Sequence, residues 1–172
     1  MSILKKNSFE HINDKLSLFF PQVTTLTKDL LLIEDALSHS LQERKIRYIF
    51  EGVSHLVAAI FIGAALDIRK INENGVKKMC RNIFAVQHTL TSSITGSRET
   101  ALDTAKQYYE LCNQRPQEIL NGIVEKGPMF NLEEYTNIIK LLNKSDVTSS
   151  SHKLASQLEK LSDIMKKVGV AV

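Results

Sequence analysis

The apolar residues of this chain return every three to four positions along most of its length, and little interrupts them. Leu26, Leu30, Ile33, Leu37 and Leu41 step by four, three, four and four, which keeps them on one face of a helix. Ile46, Ile49, Phe50, Val53, Leu56, Val57, Ile60 and Ala64 repeat the signal, as do Val76, Met79, Cys80, Ile83, Phe84 and Leu90. Seven glycines and three prolines are all the punctuation in 172 residues. An all-β domain needs many turns, and a doubly wound α/β domain needs Gly-rich strand-to-helix turns. No apolar–polar alternation of useful length occurs. The pattern predicts an all-α fold, a multi-helix bundle of about six to seven mostly antiparallel helices.

Local chemistry marks the boundaries. Residues 1–23 are a weakly patterned leader closed by Pro21, with room for a short helix over 9–20. Residues 24–144 read as the helical bundle, 145–151 as a Ser-rich linker, and 152–172 as a C-terminal helix and tail. Thr25 or Thr27 can cap the first helix, since a hydroxyl accepts from an orphan N–H. The second, over 44–71, is apolar nearly all round in its middle, which predicts a central position. Gly52 and Gly63 lie inside it, each costing about 1 kcal/mol of helix propensity against Ala, and close helix–helix approach is the expected reason. Residues 72–75, Asn-Glu-Asn-Gly, read as a break or a cap before a third helix, and residues 89–96 lose the pattern. Ser97 offers a cap for a fourth helix carrying Ala101, Leu102, Ala105, Tyr109 and Cys112. Pro116 opens a fifth, with Ile119, Leu120, Ile123 and Val124 inward. Gly127-Pro128 stops it. Asn131 followed by Glu134 spells a capping box for a sixth helix with Leu132, Tyr135, Ile138, Ile139 and Leu142. Leu154, Leu158, Leu161, Met165 and Val168 form the narrow stripe of the last.

Composition bounds the class. A hydrophobic content of 43% suffices for one ordinary core and speaks against disorder. The formal charge of +3, from 22 basic and 19 acidic residues, is too small to point to nucleic acid. Two cysteines, Cys80 and Cys112, each inside an apolar stripe, read as buried free thiols in a reducing, cytosolic setting. Residues 1–6 carry charge but no apolar h-region follows, so no signal peptide is expected. The longest apolar stretch, residues 53–66, is shorter than the ~20 residues that span a bilayer. It reads as a buried core helix, and no transmembrane segment is expected.

The spellings of phosphate-binding loops, dinucleotide folds, serine hydrolases, zinc proteases and CxxC redox sites are all absent. None of His11, His39, His55, His88 and His152 lies three or four positions from another histidine or a cysteine. No catalytic residue, metal ligand or cofactor is therefore nominated. Asp35/His39 and Glu51/His55 are i,i+4 pairs of the kind that make ordinary hydrogen bonds, and His55 is expected in the core. The densest positive patch is Arg69, Lys70, Lys77, Lys78 and Arg81, with Lys77, Lys78 and Arg81 as candidate partner contacts. It suits phosphates, acidic lipid head groups or an acidic partner, and equally a solvated helix face. Asp67 and Glu73 dilute it, and no aromatic stacking pattern accompanies it. The chain ends in Val170, Ala171 and Val172. PDZ domains capture such apolar ends by strand addition and carboxylate binding.

One contiguous string is more specific than any of these spellings. Residues 75–84 read Gly-Val-Lys-Lys-Met-Cys-Arg-Asn-Ile-Phe, preceded by Tyr-Ile-Phe-Glu-Gly at 48–52. Ser-Arg-Glu at 97–99, Leu102-Asp103 and Gln-Tyr-Tyr-Glu at 107–110 follow. These stretches resemble the C-terminal region of the exocyst complex component 4 family, over roughly residues 24–167. Three features depart from it: residues 1–23 show no likeness, Pro116 stands where a helix former is expected, and Val170 replaces the Thr of animal tails. Family members are several times longer, so the likeness is to the end of one. The resemblance implies a non-enzymatic scaffold built as part of a rod of stacked helical bundles. Its implied partners are the other exocyst subunits, and its implied task is tethering secretory vesicles to the plasma membrane. The implied location is cytoplasmic, peripheral at sites of exocytosis on that membrane. A free-standing helical adaptor, recruiting partners through the tail or the basic patch, is the alternative reading.

Overall fold

Seven α-helices and no strand make up the described residues, 21–96, 100–146 and 150–169 of the computed structural model. They are α1 (Pro21–Ser38), α2 (Glu43–Gly63), α3 (Glu73–Thr89), α4 (Thr100–Glu110), α5 (Pro116–Lys126), α6 (Leu132–Ser145) and α7 (Ser151–Lys167). The all-α expectation holds.

Local signals set most of the helix ends. The Asn72 side chain accepts from Gly75 N at 2.9 Å and caps α3. Pro116 is the first residue of α5, where its missing N–H costs nothing. Gly127, at φ 81°, ends that helix in a backbone region that side chains avoid. The capping box of α6 is formed in both directions: Glu134 N donates to Asn131 Oδ1 at 2.8 Å, and Asn131 N donates to Glu134 Oε2 at 2.9 Å.

Other ends differ from expectation. Pro21 is the first residue of α1 among the described residues, and the leader's short helix over 9–20 lies outside them. Thr25 and Thr27 are not caps. Their hydroxyls lie inside the helix and donate back to the carbonyls of Pro21 and Thr24 at 3.1 and 3.0 Å. The second helix stops at a 3₁₀ turn, Ala64–Leu66, and does not reach Ile71. The 89–96 stretch, where the pattern lapses, is a π-helical extension of α3, Leu90–Thr95, ending at Gly96 with φ 68°. Its i→i+5 turns abandon the 3.6-residue period, which is why Leu90 and Thr95 are both buried. The Ser97 cap and the tail lie outside the described residues.

The core runs through α4. That helix packs against both α2 and α3, and α1 lies over α3. In the C-terminal half α7 packs against α6 and α5, and α6 also meets the turn after α2. Ile83, Val86, Leu90, Leu102, Tyr109, Ile138, Ile139, Leu161 and Met165 are wholly buried. Aromatic edges join the halves: Tyr108 meets both Tyr109 and Phe130 edge-on, and Phe130 meets Tyr135, at centroid distances of 5.2 to 5.8 Å. Several polar groups on this core pair across elements. Tyr109 Oη donates to Phe61 O at 2.7 Å, and Tyr108 Oη donates to Glu134 O at 3.1 Å. Gln87 donates to Asp103 between α3 and α4, and Asn143 donates to Gln157 between α6 and α7. Ile71 N donates to Ser145 Oγ at 2.9 Å, tying the loop after α2 to the end of α6.

The expected central position of α2 is overturned. Only one stripe of it is inside: Ile46, Phe50, Ser54, Val57 and Ala58. Ile49, Leu56 and Ile60, expected in the core, are exposed, and so is His55. A Cβ built on Gly52 or Gly63 would meet nothing within 4 Å, so neither glycine serves close packing inside the bundle. Together with its 3₁₀ turn the helix runs 24 residues, Glu43–Leu66, and is by length and composition apolar enough to cross a membrane. The 14-residue count from sequence understated it. Its buried stripe against α4 makes it a bundle element. Ile33, Phe84 and Val124 also face outward, at 50%, 58% and 62% exposed.

Candidate partner-binding surface

The outer side of α3 gathers the predicted basic residues. Lys77 and Arg81 are one turn apart, and Lys78 stands beside them; all three are exposed. Lys77 pairs with Glu73 in the first turn, a favourable place for an acid at the positive end of the helix. That hydrogen bond, and then the lysine's charge, hold the Glu73 carboxyl below its ordinary pKa. Arg69 and Lys70 are exposed on the connection before α3 and do not share this helical face.

Sequence reasoning missed an exposed aromatic on this face. Lys77, Arg81, Phe84 and His88 step by four, three and four, so they form one outward stripe. Phe84 is 58% exposed, and its ring lies 6.0 Å from that of His88, tilted by 49°. A single exposed ring is not a stacking pattern, but it does place an apolar side chain on the basic face. Phe84 adjoins the fully buried Ile83 in sequence, and a spacing pattern alone assigns both to the core. An exposed ring one turn from an arginine is a composition favoured at protein contacts, where aromatics and Arg are enriched.

Behind this ridge lies a hollow of about 500 Å³ lined by Glu73, Lys77, Cys112 and Asn113. Its thiol is not poised for chemistry. Burial, then the neighbouring Cys80, pushes Cys112 up to about 12, and burial also raises Cys80. Thiols held protonated are poor nucleophiles. Both cysteines are free and partly buried, less enclosed than expected. Burial raises Tyr108 and Tyr109 well above the usual phenol range. Of the two carboxylate–histidine pairs, His39 bonds through Nδ1 to the Asp35 backbone oxygen at 2.6 Å rather than to the carboxylate. Among the described residues no three His, Cys, Asp or Glu side chains cluster as a metal site. Val170, Ala171 and Val172 lie outside the described residues.

No protein-family model matches the chain. It is 48% identical over 125 residues to "Exocyst complex component 4" of Homo sapiens, which covers 73% of this chain and 13% of that protein. To the Drosophila melanogaster protein of the same name it is 42% identical over 164 residues, 95% of this chain and 16% of the relative. To "Exocyst complex component SEC8" of Arabidopsis thaliana it is 33% identical over 122 residues, 69% of this chain and 12% of the relative. The chain thus spans less than a fifth of the length of these relatives. A match of 164 residues is longer than residues 24–172, so the likeness runs into residues 1–23, against expectation. By sequence this chain belongs to the exocyst complex component 4 family, matching the C-terminal portion of its much longer members.

Proposed function

We propose that this chain is a non-enzymatic structural part of the exocyst, contributing helical surface to a complex that tethers secretory vesicles to the plasma membrane. The observation that carries the reading is 42% identity across 95% of the chain to a protein named as an exocyst component. The helical bundle supports it, because rigid helical faces bind by apolar anchors with charged rims. The partners are other exocyst subunits, and the place of action is the cytoplasmic side of the plasma membrane at sites of exocytosis, without membrane insertion. On the α3 ridge, Phe84 is the anchor and Lys77, Lys78 and Arg81 are the rim. Such a rim steers an acidic partner surface and sets on-rate more than affinity.

The test is binding of the purified chain to purified recombinant exocyst subunits, one at a time, by biolayer interferometry. At least one subunit should bind. Phe84→Ala should weaken it about thirtyfold, the lower bound of a hot-spot loss. Lys77→Glu with Arg81→Glu should slow association and flatten its salt dependence. Binding to no subunit defeats the exocyst reading; unchanged binding by Phe84→Ala defeats the ridge. Capture of the Val170-Ala171-Val172 end by a PDZ-type domain belongs to the adaptor alternative. A chain lacking those three residues that binds every partner as before ends that idea.

A further inference from the structure

The outer side of α2 carries a second, complete apolar seam. Ile49, Gly52, Leu56, Ala59, Gly63 and Leu66 step by three, four, three, four and three, and every one of them is exposed, with Lys45 one turn before Ile49 on the same line. Leu56, Ile60 and Leu66 are about 60% exposed and Tyr48 is 79% exposed. Between Glu51 and Asp67 there is no charged residue, over ~22 Å of helix. The inner stripe already supplies what the bundle needs, so the outer one is surplus to the fold.

We infer that this seam is the docking site for an α-helix of another exocyst subunit. The inference rests on the exocyst reading above and adds a surface distinct from the α3 ridge. Three features select the occupant. The 4-3 spacing matches helix-on-helix packing, in which large side chains of one helix enter holes of the other. Gly52, Ala59 and Gly63 supply the holes. Their floor is open, since a Cβ on either glycine meets nothing within 4 Å, and Ile49, Leu56 and Ile60 wall it on one side. A bilayer surface has no use for such holes, whereas a helix bearing large residues at heptad spacing fills them. Charge sets the remaining requirement. Exposed Arg44 and Lys45 stand at the α2 N-terminal end, beside a hollow of about 610 Å³ that they line with Leu41, Gln42, Tyr48 and Ile49. The visiting helix therefore carries large apolar residues along one stripe and acidic residues at the end that lies over Arg44 and Lys45.

The experiment uses the full chain and each purified recombinant exocyst subunit, read by titration calorimetry and by hydrogen exchange. Leu56→Glu and Gly63→Arg place new side chains at exposed positions, so neither should lower the urea midpoint, and Gly63→Arg should raise it by removing a helical glycine. Each should weaken binding of the responsive subunit at least tenfold. Amide exchange over residues 48–66 should slow in the complex. Lys45→Glu should weaken binding, and a matching acid-to-lysine change on the partner should restore it. Unchanged binding by Leu56→Glu and Gly63→Arg overturns the seam while leaving the exocyst reading intact. Binding to no subunit overturns that reading itself. A wild-type dimer that Leu56→Glu returns to monomer makes the occupant a second copy, and flotation with anionic phosphatidylserine vesicles lost in Leu56→Glu makes it a membrane. Either result overturns the proposal.

Discussion

Removing one oxygen from Tyr109 tests how the two ends of the core are held. Its ring is wholly buried, and its hydroxyl donates to the Phe61 carbonyl at 2.7 Å, fastening α4 to the end of α2. Tyr109→Phe keeps the ring and deletes only that donor. A buried hydrogen bond contributes about 0.5–1.5 kcal/mol net, and leaving the carbonyl unanswered takes the expected loss to the upper end, about 1.5 kcal/mol. Tyr109→Ala also removes the aromatic contacts and opens a cavity, with a loss of about 3–5 kcal/mol. In a chain of this size each kcal/mol lowers Tm by roughly 2–4 °C. Tyr109→Phe should therefore melt roughly 3–6 °C below wild type, and Tyr109→Ala at least twice as far below it. Urea unfolding followed by circular dichroism at 222 nm measures both. The reasoning fails if Tyr109→Phe lies within about 0.3 kcal/mol of wild type, or if it is as damaging as Tyr109→Ala.

The remaining predictions concern ionisation, capping and reactivity. Tyr108, Tyr109 and Cys112 all have folded-state pKa values raised above their unfolded ones. Their contribution is whole below the unfolded values, near 8.5 for the thiol and near 10 for the phenols, and is lost as pH rises through the folded values. The urea midpoint should hold from pH 7 to 8.5 and then fall steadily by pH 10.5, and a flat profile would contradict the burial of these groups. Asn131→Ala removes an α6 cap that accepts from Glu134 N, and should cost about 1 kcal/mol by urea titration, with Asn131→Asp close to neutral. Cys112 should react with a thiol-specific disulfide reagent at neutral pH far more slowly in the native chain than in 6 M urea; equal rates would show an accessible thiolate.

What the sequence made legible was whatever is decided within a turn or two. Asn131 with Glu134, Asn72 and Pro116 mark helix starts because each acts on backbone groups three residues away or on its own. Lys77, Lys78 and Arg81 share a face because that follows from helical geometry alone. What stayed hidden was the choice between faces. After Glu51 nearly every position of α2 is apolar, so periodicity reports two stripes and cannot say which one meets α4. Phe84 is misread for the same reason, since it and Ile83 both extend an apolar run and only tertiary packing separates them. The π-helical Leu90–Thr95 segment escaped because its period differs from the one sought, not because its residues are polar.

The bond from Ile71 N to Ser145 Oγ joins residues 74 positions apart, and that separation has a kinetic meaning. The contacts between α3 and α4 link neighbours along the chain and can form early. The loop at Ile71 cannot settle until α6 exists to receive it. Closing so long a loop costs configurational entropy that only late contacts repay. A chain emerging residue by residue should therefore hold its first half in a helical but unfastened state, with proteolysis around residues 67–72 as the sign of it. Final locking should coincide with the arrival of Ser145.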